Sequence, residues 1–423
     1  MNIYTSLLQR NSNFRTLWLA SVVTMLGDWF NTIGTIVLIN RYTDSGLAIA
    51  ALFLARMVPP FLFSPVAGLV ADRFNRKAVM LLSDLLRIGI VLGFLLVDSP
   101  SEAWLVYGLT ALQFIVATFY HPAHAAILPS VVDNKEDLLV ANTLGSITWS
   151  AMLALGAALG GVTTALFGVQ TALLIDAVTF AISAALVAQV ITPQQEVQEQ
   201  SQTNDDGFAI WGGIRYALEH PGVGAVTLVK ALGSIGSTDV IMTALASSLF
   251  IFGVGGAGAL GMMMTAAGIG AVLGPLIANR FTPETNTALQ RSIVIGFAAS
   301  AVGWIVVGQV GFFWLVLFGF LLRGMGSSTN WTYSSVLLQM NVPDHMLGRV
   351  FALDEMIRTL TASVAIWLAG YAMDSLDMTA QSLASFYGLA TILPMIIWGW
   401  HAWYINQPRQ ERTVMGRQQY LST

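Results

Sequence analysis

"GLVADRFNRK" (68–77) gathers three basic residues, one acid and a glycine into ten positions of a chain that otherwise avoids charge. Long apolar stretches lie on both sides of it. Of 423 residues, 55% are hydrophobic and only 10% are charged, and the mean hydropathy is +0.69. Soluble domains carry about 25% charged residues, so the composition is that of a protein that crosses a membrane many times. The decapeptide then reads as a short polar loop between two spans.

Working outward from this loop, twelve apolar segments are predicted, at about 17–39, 46–70, 78–97, 104–127, 140–166 and 170–191, then 223–249, 256–278, 292–309, 312–338, 351–373 and 381–404. Backbone polar groups in lipid must be satisfied within their own segment, so these spans are expected to be helices. Small-residue runs such as "LGAALGG" (155–161) and "GIGAVLG" (268–274) suit close helix packing. The domain reading is a six-helix half over 1–191, a linker over 192–222, a second six-helix half over 223–405, and a tail over 406–423. The first part of the linker is rich in Gln, Glu and Asp and is expected to be flexible. Phe208 to His220 is expected to form a short amphipathic helix on the membrane surface.

Orientation follows from Lys and Arg. With the N-terminus inside, thirteen of the 19 basic residues fall in cytoplasmic segments, five within spans, and Arg41 alone outside. Positive-inside asymmetry of this size puts both termini in the cytoplasm of a multi-pass plasma (inner) membrane protein. The polar, basic start is expected to carry no cleaved signal peptide. With no Cys, thiolate metal sites and disulfides are excluded. Five scattered His show no metal-ligand spacing, and His121 and His124, with Pro122 between them, read as interface residues. No metal, cofactor or catalytic residue is expected. A net charge of −4 argues against nucleic acid as a partner.

The two halves echo each other. "ADRF" (71–74) follows the second span, and "ANRF" (278–281) follows the eighth. Internal repeats of this kind are typical of secondary transporters. Gly68, Asp72, Arg73, Arg76 and Lys77 match the G-x-x-x-D-R-x-G-R-K pattern between the second and third helices of the major facilitator superfamily, which the chain resembles. Asn75 replaces the second glycine of that pattern, and is expected to preserve a tight turn by tolerating positive φ. "NSNFRTLWLASVVTMLGDWF" (11–30), "ARMVPP" (55–60), "SDLLR" (83–87) and "VPDHMLGRVFALDEM" (342–356) resemble the drug:proton antiporter branch that includes macrolide and siderophore (enterobactin-type) exporters.

The resemblance implies an all-α membrane protein of twelve transmembrane helices in two pseudo-symmetric halves. It also implies that the 68–77 loop is a conformational latch. Asp72 would face the N-terminus of the eleventh helix, where exposed N–H groups favour a carboxylate. Arg73, Arg76 and Lys77 would pair across the seam between halves. The second-half copy carries Asn279 in place of Asp72 and would latch more weakly. The bland alternative is that the cations only set topology.

A charge at the bilayer centre costs roughly 2.5–3.5 kcal/mol even on lenient scales, so each one in a span needs a partner or a watery cavity. Asp28 and Arg56 lie fourteen residues before and after Tyr42, about 21 Å from the turn at 1.5 Å per residue. They share a depth and are expected to pair. Asp28 is then the proton-coupling acid, half of a fixed ion pair, or a direct substrate contact. Asp239 and Arg323 are candidates for a second cavity pair. Lys230 and Arg358 are expected to snorkel to the cytoplasmic face, while Asp354–Arg358 and Asp84–Arg87 also read as local helical pairs. Asp176 is expected to be solvated near the outer face. Phe114, Trp149, Trp331 and Tyr333 are candidates for an aromatic cavity lining, or for packing and interfacial anchors.

The reading is a secondary transporter that exports an amphipathic small molecule against proton influx. No ATP-binding G-x-x-x-x-G-K-[ST] motif is present, so the proton-motive force would drive it. Expected partners are the substrate, protons and lipid, with the chain acting as a monomer. The intramembrane cations tilt the substrate towards anionic or zwitterionic compounds. The alternatives are an uptake permease for a polar metabolite, a lipid flippase or an integral-membrane enzyme.

Overall fold

In the computed structural model, the described residues are 3–43, 45–132, 134–191, 209–236, 238–283, 285–309 and 311–405. The expected flexible linker and the 406–423 tail lie outside them. The first half contains α1 (Ile3–Arg10), α2 (Ser12–Asn40), α3 (Gly46–Arg73), α4 (Arg76–Gly93), α5 (Ala103–Val131), α6 (Lys135–Phe167) and α7 (Val169–Gln189). Next come α8 (Ala209–Glu219), α9 (Pro221–Gly233), α10 (Thr238–Ser248), α11 (Ala257–Phe281), α12 (Asn286–Gln309), α13 (Phe313–Asn341), α14 (Asp344–Ser375) and α15 (Ala380–Ile405).

Eleven segments of the described chain are long and apolar enough to cross a membrane, with α9 and α10 counted as one. The twelfth, α13, has 29 residues but is interrupted by Arg323 and the polar run Ser327–Asn330. Short polar side chains start the helices. Asn11, Ser45, Asn75 and Asn134 each accept a hydrogen bond from the backbone N–H three residues on, so donors that no turn can satisfy are capped. Asn75 does this with an extended backbone (φ −60°, ψ 112°). The expected positive-φ turn is therefore replaced by a cap, because α4 begins at the very next residue.

The halves repeat one packing scheme. In the first, α3 packs on α5, α4 on α5 and α7, and α2 on α6. In the second, α11 packs on α13, α12 on α13 and α15, and α9 on α14. Across the seam α6 meets α11 and α3 meets α14. The segment Ala209–Glu219 lies against α14, where Gly213 approaches the Arg349 carbonyl so closely that a methyl group would not fit.

The buried core is split in a telling way. One apolar cluster joins both halves, running from Ile33, Leu52 and Phe94 through Val240, Met263 and Trp304 to Ala369 and Leu383. Two further clusters stay within single halves at the end carrying the termini, around Leu17, Met80 and Tyr120 in the first and Ile293, Phe297 and Leu337 in the second. The molecule is thus sealed at the end opposite the termini and parted at the end that bears them.

Candidate functional site

The site is the space between the halves, sealed at one end. Its floor is made by glycines. A Cβ on either Gly161 or Gly261 would lie 2.7 Å from the other's Cα, so only glycine lets α6 and α11 touch there. Nearby, Thr265 Oγ1 donates to the Ala154 carbonyl at 3.2 Å. Asp374, near the end of α14, reaches across the seam to α3. Its carboxylate accepts from Ser45 Oγ at 2.5 Å, from Gly46 N at 2.6 Å and from Leu47 N at 3.0 Å. A carboxylate of one half therefore caps a helix of the other.

Asp28 faces the parted space with 42% of its side chain exposed. It pairs with Arg87 of α4, not with Arg56. The predicted depth was right, but the lateral neighbour of α2 at that level is the Arg87 guanidinium, which lies over the Phe180 ring at 3.9 Å. Arg56 donates instead to Thr32 Oγ1 at 2.5 Å, one turn along α2 from Asp28, and lies over Phe114 at 5.1 Å. Arg87 leaves Asp84, whose Oδ2 accepts from Ser183 at 2.7 Å; the expected Asp84–Arg87 pair is not formed.

The second half has its own charges. Asp239 lies in the first turn of α10, after α9 ends at Gly233 and Gly236 takes φ +129° against Trp304 and Tyr387. Asp239 is exposed to the space, and the charges acting on it are Arg56 from the first half and Arg323 from its own. The Arg323 guanidinium lies over Trp304 at 5.3 Å and reaches the Gly233 carbonyl at 3.5 Å. Lys230 does not snorkel. It is buried and donates to Asp354 at 2.6 Å, with the Trp331 ring 4.6 Å from its ammonium. Arg358 consequently pairs with Glu355, the acid three residues earlier, rather than with Asp354.

The aromatic candidates divide. Trp331 is half-exposed beside Lys230 and Arg358, and Phe114 is half-buried under Arg56. Trp149 is exposed, one turn before Leu153 on the row that continues to the α11 contact. Tyr333 is no lining residue. It is 2% exposed in the second-half core and donates to Asn279 Oδ1 at 2.8 Å. The polar tip finds its acceptor inside the half, which draws the ring away from the seam. His124 bonds Ser21 Oγ at 2.9 Å and stacks with Tyr120.

The 68–77 loop divides between exposed residues and anchored ones. Asp72 and Arg73 are exposed, and nothing lies within 4 Å of a Cβ built on Gly68. Lys77 donates to the carbonyls of Ala188 and Val190 at 2.7 and 2.8 Å, and Arg76 to that of Ala126 at 2.8 Å. These two cations tie the loop to their own half.

Sequence reasoning missed Asp374, Arg87 as the partner of Asp28, and the burial of Asp176, which is fully enclosed rather than solvated. For the latter two a signal existed: each is a charge inside an apolar span. Asp374 gave none, because an acid at a span end reads as interfacial.

The profile of the family described as transmembrane secretion effectors matches residues 6–398. The enterobactin exporter EntS of Salmonella typhimurium is 26% identical over 408 residues, covering 92% of each chain. The putative bacilysin exporter BacE of Bacillus amyloliquefaciens is 22% identical over 358 residues, covering 82% of this chain and 85% of that one. Among solved structures, a bacterial homologue of the iron transporter ferroportin in an inward-facing state superposes with a TM-score of 0.65 at 15% identity, covering 91% of this chain and 98% of that one. The repeated halves, the seam between them and the family match over nearly the whole length agree: this chain belongs to the transmembrane secretion effector family of the major facilitator superfamily, a multi-pass membrane transporter and not an enzyme.

Proposed function

We propose that the protein exports an amphipathic small molecule from the cytoplasm in exchange for protons, as a monomer in the inner membrane with both termini cytoplasmic. The observation that carries this reading is the charged space between two halves whose cores are fused at one end and separate at the other. With the termini inside, the parted end opens to the cytoplasm, where an exported compound would enter. Asp28, exposed in that space yet paired with buried Arg87, is the candidate for taking up a proton. Export as the direction is supported by the relatives named as exporters.

The substrate tilt changes once the pairs are known. Arg87, Lys230 and Arg358 each have a carboxylate partner, and Asp239 lies in the field of Arg56 and Arg323. The space is close to charge-balanced, which suits a neutral or zwitterionic amphiphile with aromatic groups for Phe114, Trp149 and Trp331. Proteoliposomes preloaded with enterobactin or ethidium, and carrying a pyranine pH indicator, test the proposal. Wild-type protein is expected to move one of the two against an imposed pH gradient with a matched pyranine signal. Asp28→Asn with Arg87→Gln, which removes both members of the pair and so leaves no orphaned buried charge, is expected to retain counterflow and lose the pH-driven component. Uptake in the opposite sense, or pH-driven transport by the double variant at the wild-type rate, overturns the reading.

A further inference from the structure

Asp176 of α7 is 0% exposed, and neither carboxyl oxygen has a hydrogen-bond partner among the described residues. It faces α2 at Gly27, the residue before Asp28. A methyl group at Gly27 would run into the Asp176 carboxyl and the Thr179 hydroxyl, so the glycine makes room for the acid. Asn31 approaches from one turn further along α2 without closing a hydrogen bond. The charged groups that act on Asp176 are Asp28 from α2, Arg87 from α4 and Arg56 from α3. Asp84, also on α4, is held by Ser183, two turns along α7. The charges of α6, the remaining neighbour of α7, are confined to its first turn.

The balance of charge around this point is uneven. Asp28, Asp84 and Asp176 are three carboxyls facing two guanidiniums. Arg56 is engaged with Thr32, and Arg87 is given to Asp28. An ionised carboxylate with no hydrogen-bond partner is among the costliest groups to bury, whereas the neutral acid fits such a place.

We infer that Asp176 is a proton-binding site that works with Asp28, the two carboxyls sharing one proton while Arg87 pairs with whichever is ionised. This rests on the reading of Asp28 as the coupling acid and extends it to a relay. In the state described here Asp176 holds the proton and Asp28 holds Arg87. In the other state, the O–H bond of Asp176 has broken and one on Asp28 has formed. The guanidinium N–H···O bond has moved from Asp28 to Asp176, so total charge is unchanged. Asp28 then presents an exchangeable proton to the space between the halves. A proton bound at the cavity is thus converted into a displacement of Arg87 on α4, which packs on both α5 and α7.

Infrared difference spectroscopy of the purified protein in lipid nanodiscs at neutral pH, with carboxyl-labelled aspartate, tests this without substrate or gradient. Wild type is expected to show a protonated-carboxyl C=O band that is missing from Asp176→Asn. The same band is expected to vanish in Asp28→Asn, because Arg87 then turns to Asp176 and ionises it. Absence of the band from wild type, or its persistence in either variant, overturns the relay. If Asp176→Asn does not fold, the comparison of wild type with Asp28→Asn still decides, since a static buried acid keeps its band there. Failure of the export assay with these bands as expected would sink the direction of transport and leave the relay standing.

Discussion

The α3–α14 pair carries an acid at each end, and the two are in opposite states. At the sealed end, Asp374 of α14 accepts three hydrogen bonds at the start of α3, two of them from backbone N–H groups. At the parted end, Asp72 in the last turn of α3 is exposed, and no hydrogen bond or ion pair joins it to α14 among the described residues. The chemistry offered is the same: a carboxylate from one half and the free N–H groups at a helix start in the other. What differs is distance across the seam. The proposed latch of Asp72 on the start of α14 would be the counterpart of the Asp374 contact, and rigid halves that rock could not make both at once.

The largest effect is expected at the sealed end. Asp374→Ala removes charge-assisted hydrogen bonds, each kind contributing about 1.5–3 kcal/mol. The balance between the two states should shift roughly 10- to 150-fold towards opening at that end. The chain has no Cys, so spin labels on Thr43→Cys and Leu376→Cys report the separation without background. An unchanged distance distribution in the Asp374 variant would show that the glycine floor alone holds the seal.

Asp72→Asn probes the other end. Its side chain is solvated in this state, so thermal stability should stay within about 0.5 kcal/mol of wild type. Transport should fall roughly tenfold, because the proposed latch contact, made only in the other state, would be lost. Transport at the wild-type rate would remove the latch and leave the loop's cations with topology alone. The smallest effect is expected from Asn75→Gly. It forfeits the side-chain bond to Ala78 N, yet glycine is an acceptable N-cap, so a cost of a few tenths of a kcal/mol is expected, against about 1 kcal/mol for Asn75→Ala. Wild-type melting temperatures for both variants would mean that the cap contributes nothing.

Much of the architecture was written in one dimension. Long apolar runs have to become helices in lipid, and the "ADRF" and "ANRF" echo declares two copies of one unit. Depth along the membrane was also legible, since rise per residue is fixed: Asp28, Arg56 and Thr32 do lie near one level. Partnership was not. Which arginine meets Asp28, which acid meets Lys230 and where Tyr333 points depend on the lateral order and rotation of helices, and a sequence read span by span holds no record of either. Local rules of i,i+3 and i,i+4 spacing misled at Asp84 and Asp354, because a buried carboxylate takes the cation or hydroxyl that tertiary packing delivers. Composition and periodicity therefore settled how many times the chain crosses and where charge must be explained. Only the packing of α2 on α7, α9 on α14 and α3 on α14 decided which charges meet, which end is sealed, and that the Asp176 carboxyl has no hydrogen-bond partner among the described residues.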